Sequence, residues 1–130
     1  MIVTFYDLED DANPLNGSVI RNRDQLRQIL RSLQEREPFS CELTAPNGAE
    51  LVLGVGAIGF ADYCRNGDPP YLCAVTNRNV VYGIEPEFLV GGTPTPVAAR
   101  FCMPFDDVIK IAVYFFDTGT TCPLFSWEEI

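Results

Sequence analysis

The chain has 130 residues, enough for one domain with a single core, and 47% of them are apolar, which argues against a disordered segment. Eighteen acidic residues against nine basic ones give a formal charge of −9, and the absence of histidine removes the commonest general base and metal ligand. Five of the nine basic residues fall between Arg21 and Arg36, so clustered cations for phosphate binding are lacking over most of the chain and direct contact with nucleic acid is not expected.

Residues 2–6 are rich in β-formers and predict a strand, followed by an acidic loop, Asp7-Leu-Glu9-Asp10-Asp11. Asn13-Pro14 and Asn16-Gly17 are turn signals. A first helix is predicted over 23–35: Asn22 suits the N-cap, Gln25 the capping-box position, and Leu26, Ile29, Leu30 and Leu33 form one apolar stripe. Arg23, Arg27 and Arg31 repeat on another face and read as solvated rather than as an anion site. Residues 39, 41 and 43 alternate inward, and Pro46-Asn47-Gly48 turns that strand into a second arm over 50–55. Further strands are expected over 59–64, 71–75 and 80–84, a loop over 91–96, and a last strand over 97–102.

A second helix is expected from Phe105, since Val108, Ile111, Ala112 and Phe115 share one face and Ile109, Val113 and Phe116 form a row beside it. Pro104 suits its start, Asp106 and Asp107 sit at the positive end of its dipole, and Gly119 can take the left-handed conformation that ends it. Consecutive strands joined by tight turns imply antiparallel pairing. The expectation is a single α+β domain over residues 1–130, with an antiparallel sheet of about five to seven strands and two main helices packed on one face.

Gly54-Val-Gly56-Ala-Ile-Gly59 matches G-x-G-x-x-G, but Phe60-Ala-Asp-Tyr-Cys64 does not read as a helix start and no acid stands about 20 residues on, so a bend between two strands is expected rather than a dinucleotide site. Cys41, Cys64, Cys73, Cys102 and Cys122 are odd in number and lack C-x-x-C spacing, which predicts reduced, buried thiols. No catalytic set, cofactor or metal is expected. No apolar run approaches the ~20 residues that cross a bilayer. The first residues carry no signal-peptide pattern, so no membrane contact and a cytoplasmic location are expected. Trp127 reads as core, and Glu128 and Glu129 beside it are left open.

The block Phe115-Phe116-Asp-Thr-Gly119, then Pro123-x-x-x-Trp127-x-Glu129, resembles the C-terminal signature of the first-numbered immunity-protein family of bacterial polymorphic toxin systems. Leu51-Val-Leu-Gly54-Val-Gly56 resembles that family's glycine-containing middle strand, and Gly67-Asp-Pro-Pro70-Tyr71-Leu72 its next turn and strand. Cys122 stands where members often carry a basic residue. Gly54, Gly56, Phe116, Gly119, Pro123 and Trp127 are then structural signature positions. The resemblance implies a small, non-enzymatic cytoplasmic protein that binds and neutralises a cognate toxin, a nucleic-acid deaminase or nuclease with a basic groove. An acidic partner would fill such a groove and gain steered association. On surface charge, Asp7, Glu9, Asp10, Asp11, Glu85, Glu87, Glu128 and Glu129 are the candidate contacts. Two alternatives stand beside this reading: a ligand-binding or thiol-using domain built on the glycine-rich bend, and an acidic adaptor for some other basic protein.

Overall fold

The computed structural model describes residues 2–36, 38–75 and 85–130. The strand expected over 80–84 lies outside them. The first strand, β1 (Val3–Asp7), pairs with a short strand, β2 (Ser18–Ile20), which is followed by helix α1 (Arg23–Leu33). Asn22 caps α1 as its spacing predicts, its side chain accepting the Gln25 N–H at 2.8 Å. Gln25 reaches back to the Arg21 N–H, one residue before the cap, at 3.0 Å.

Four strands then form a meander: β3 (Phe39–Thr44), β4 (Glu50–Val55), β5 (Ile58–Arg65) and β6 (Asp68–Val75). The Asn47-Gly48 turn between β3 and β4 places Gly48 at a φ of 88°, a conformation natural only to glycine. The expected loop over 91–96 is instead the second half of a hairpin, β7 (Glu87–Val90) and β8 (Thr93–Pro96), turning on Gly91-Gly92. Pro94 and Pro96 are tolerated because, among the described residues, β8 pairs with β7 alone and is an edge strand. The strand expected over 97–102 is a 3-10 turn at Ala99–Phe101.

A two-residue strand, β9 (Met103–Pro104), pairs with β5 and delivers the chain into α2 (Phe105–Thr118). Gly119 ends α2 at φ 71°, its N–H donating to the Phe115 carbonyl at 2.7 Å. The tail forms a strand, β10 (Ser126–Glu129), on the far side of β6.

Seven strands run side by side in the order β10-β6-β5-β4-β3-β1-β2, each neighbouring pair antiparallel. With β7, β8 and β9 the described residues hold ten strands, more than expected. The α+β class with a largely antiparallel sheet stands; the exception is a single parallel pairing of β7 with β3 at Phe39 and Leu89.

Both helices lie on one face of the sheet. Leu26, Leu30 and Leu33 of α1, and Val108, Ile111, Ala112 and Phe115 of α2, meet Phe39, Cys41, Leu43, Leu51, Leu53 and Val55 in one core. The three arginines of α1 are exposed, as their spacing implies, and each also makes an ion pair. Arg23 pairs with Asp117 of α2 at 2.8 Å and Arg31 pairs with Asp106, so this row fastens the two helices together, while Arg27 pairs with Asp24. On the opposite face, β7–β8 and residues 97–102 cover one end of the sheet, where Phe60, Phe88 and Cys102 form a second, small core. The Phe60 and Phe88 rings meet edge to face with centroids 5.0 Å apart.

Candidate functional site: an acidic sheet face

The G-x-G-x-x-G stretch is a strand-to-strand bend, as its flanking residues predict. Gly54 is opposite Phe60 in the β4–β5 register, and a Cβ at Gly54 would run into that ring. A Cβ at Gly59 would collide first with the Gly54 carbonyl of β4 and then come within 2.9 Å of Val108 and 3.2 Å of Phe105, so this glycine lets both β4 and α2 approach β5. Gly56 is confined by the Ile58 carbonyl, 3.1 Å from where its Cβ would stand.

Of the other signature positions, Gly119 and Trp127 are both tied to Tyr63. Phe116 is buried, and Gly119 presents its carbonyl to Asn47 and to the Tyr63 hydroxyl, each at 3.4 Å. Trp127 donates its Nε1–H to the Cys122 carbonyl at 2.9 Å across Pro123, and its ring lies 6.5 Å from that of Tyr63. Trp127 thus holds the tail onto the sheet, and it does so as part of a paired strand.

The acids expected to meet a partner separate into two groups. Asp7 is a correction: its side chain is fully buried and bonded to Arg36 at 2.6 Å, to the Asn13 side chain at 3.0 Å and to the Glu9 N–H at 2.8 Å. Burial by itself raises the Asp7 carboxyl, and these hydrogen bonds more than offset it, leaving its pKa below the ordinary value. Asp7 organises its loop and has no surface to offer. Glu9 is also engaged, accepting the N–H groups of Gly91 at 2.7 Å and Gly92 at 2.6 Å, so it holds the β7–β8 turn. Glu128 is paired with Arg100 at 2.9 Å. Asp10, Asp11, Glu85, Glu87 and Glu129 are exposed. The structure does not gather the eight into one patch: the loop of Asp10 and Asp11 follows β1, near the β2 side of the sheet, whereas Glu129 is on β10 at the other edge.

A different acidic set is gathered by strand pairing. Tyr6, Glu42, Val52, Asp62, Cys73 and Glu128 lie opposite one another across six strands, on the face away from the helices. The next row on that face is Val19, Thr4, Thr44, Glu50, Cys64 and Tyr71. Two grooves open here. One, of about 430 Å³, is lined by Glu50, Val52, Asp62, Cys64, Tyr71 and Ile130 among others. The other, of about 310 Å³, runs under the β7–β8 hairpin and shares Asp62 and Ile130 with the first.

Burial raises the pKa of Asp62, a hydrogen bond from Cys73 opposing it in part, and Asp62 Oδ1 is buried with no hydrogen-bond partner among the described residues. Burial also raises Glu42, and the charge of Glu50 adds to it. None of these three acids was singled out from the sequence. The available signal was period-2 alternation, which puts 42, 50 and 62 opposite the core-facing 41, 51 and 61, but only the register brings them side by side.

The thiols are buried throughout. Burial, reinforced by neighbouring acids, pushes Cys64 and Cys73 up, and Cys102 up to about 11, so these sulfurs stay protonated and weakly nucleophilic at neutral pH. Among the described residues no group of three or more ligating side chains could hold a metal ion, and no helix is long and apolar enough to cross a membrane. Compared with protein-family models and with curated proteins, the chain matches none.

Proposed function

We propose that this protein is an immunity protein that acts in the cytoplasm, binding a cognate polymorphic toxin and neutralising it by covering its basic groove. The toxin of this reading is a nucleic-acid deaminase or nuclease. The observation that carries the proposal is the sheet face opposite the helices, where carboxylates stand among exposed aromatic and aliphatic side chains and no basic residue among the described ones lines either groove. Tyrosine and aliphatic side chains in contact with water, ringed by charge, have the composition of a protein interface. A net charge of −9 favours a basic partner over nucleic acid itself.

The resemblance at Phe116, Gly119, Pro123 and Trp127 adds a second support, since these positions span the end of α2, its left-handed cap and the strand β10. A thiol-using enzyme gains nothing from sulfurs held protonated. The deciding experiment is co-expression with the product of the neighbouring gene. Survival of the host, with co-purification of a 1:1 complex that weakens in high salt, is expected. No protection and no complex would refute the proposal.

A further inference from the structure

We infer that the groove centred on Asp62, on the open sheet face between β4, β5 and β6 and the β7–β8 hairpin, receives an arginine side chain presented by a partner protein. This inference deepens the preceding proposal and rests on it for the identity of that partner. Three observations converge on the chemistry.

The first is uncompensated charge. Glu42 and Glu50 stand one row apart on adjacent strands, and Asp62 lies one strand further on, with no basic residue among the described ones lining either groove. These acids are diagonal neighbours across strands, where like charges repel, so the cluster favours the approach of a cation. Arg100 is already committed to Glu128.

The second is the unpartnered oxygen of Asp62. A buried carboxylate oxygen without a donor costs stability until something donates to it. Asp62 lines both grooves, so a donor entering along either meets this residue, and a turn of its side chain brings the shielded Oδ1 to that donor.

The third is the nature of the walls. Tyr71 is 42% exposed and Ile130 60% exposed, and with Val52 they flank the carboxylates. A planar guanidinium stacks on an aromatic ring while its fork donates to a carboxylate, and it is more weakly hydrated than an ammonium. Such walls suit arginine better than lysine.

The test uses the isotopically labelled full chain and two probes. In the first, an arginine-rich peptide is titrated in and amide shifts are mapped. Shifts at Val52, Asp62, Cys64 and Tyr71 are expected. They should weaken in the charge-neutralising double variant Glu50→Gln/Asp62→Asn, persist in Asp10→Asn/Asp11→Asn, and be smaller with a lysine peptide of equal length. Shifts confined to the loop of Asp10 and Asp11 or to α1, or an equal response to the lysine peptide, would overturn the inference.

In the second, the neighbouring toxin domain is bound to the same variants. Glu50→Gln/Asp62→Asn should lose about 30-fold or more in affinity. Both substitutions keep an acceptor oxygen and nearly the same shape, and a preserved amide spectrum confirms the fold. A toxin bound equally well by the double variant overturns the groove assignment and leaves the immunity reading standing. A peptide that maps to the groove while the toxin fails to bind supports the groove and refutes the immunity reading.

Discussion

The two faces of the central sheet come from the same strands and end in opposite chemistry. Toward the helices, Leu43, Leu51, Leu53 and Ala61 are sealed under Val108, Ile111 and Phe115. Away from them, Glu42, Glu50, Val52 and Asp62 occupy the intervening positions of the same strands and line open grooves or the rows beside them. One face is complete in itself. The other carries carboxylates crowded by their own kind and an oxygen without a donor among the described residues. A face that only has to stay in water has no reason to bury an acid. On the proposed reading the open face is a contact surface, and its residues should then respond to substitution differently from those of the core.

The largest expected effect is on the sealed face. Phe115 is fully buried and packs edge to face on Tyr63, so Phe115→Ala should cost about 3–5 kcal/mol in denaturant unfolding. A much smaller cost would mean that the helix face is not the sealed core.

Next is Asp7, an acid placed on the core side. Asp7→Asn should lower stability by about 1–3 kcal/mol at neutral pH, because the Arg36 bond loses its charge and one or more loop donors lose their acceptor. Because its folded pKa is depressed below 3.8, the contribution of Asp7 is fully present above that value and is lost as pH falls through the lower folded pKa. The gap between wild type and variant should therefore close in unfolding curves taken at progressively more acidic pH.

Gly119→Ala should cost about 1–2 kcal/mol, since φ 71° is left-handed and the new Cβ would lie 2.7 Å from Asn47 Nδ2. The midpoint of thermal unfolding reads this, and a neutral result would show that α2 ends in some other way.

The smallest effect has the opposite sign. Asp62→Asn should leave the protein as stable or slightly more stable at neutral pH. The folded pKa of Asp62 is raised above 3.8, so ionisation at higher pH works against the folded state; stability is gained as pH falls through the folded pKa, and the advantage of the variant should fade there. A stabilising change that weakens partner binding would mark Asp62 as kept for function. A destabilised variant at neutral pH would erase the contrast between the faces.

Much of the scaffold was legible in the residues. Asn22 and Gln25 mark the start of α1, Asn47-Gly48 marks the β3–β4 turn, and the two apolar rows of α2 announce a helix buried on most sides. Each is a local signal carried by neighbours within one turn or one strand. Legibility failed where pairing was long-range. The prolines of β8 and the short runs of β2, β9 and β10 have weak local preference, and they become strands only because an edge is available to them.

The candidate site divides the same way. Residue order alone is enough for the acidic balance, the lack of histidine, the α+β class and the alternation that puts residues 42, 50 and 62 off the core. Which acids are spent inside the fold and which face outward is settled by packing. Asp7 is spent because Arg36, 29 residues away, closes over it, and Arg31 and Arg23 of α1 are spent on Asp106 and Asp117, 75 and 94 residues away. Periodicity tells which side of an element a charge is on. Its neighbours there are set by the register and packing of strands and helices distant in the chain, and for a charge the neighbours decide everything.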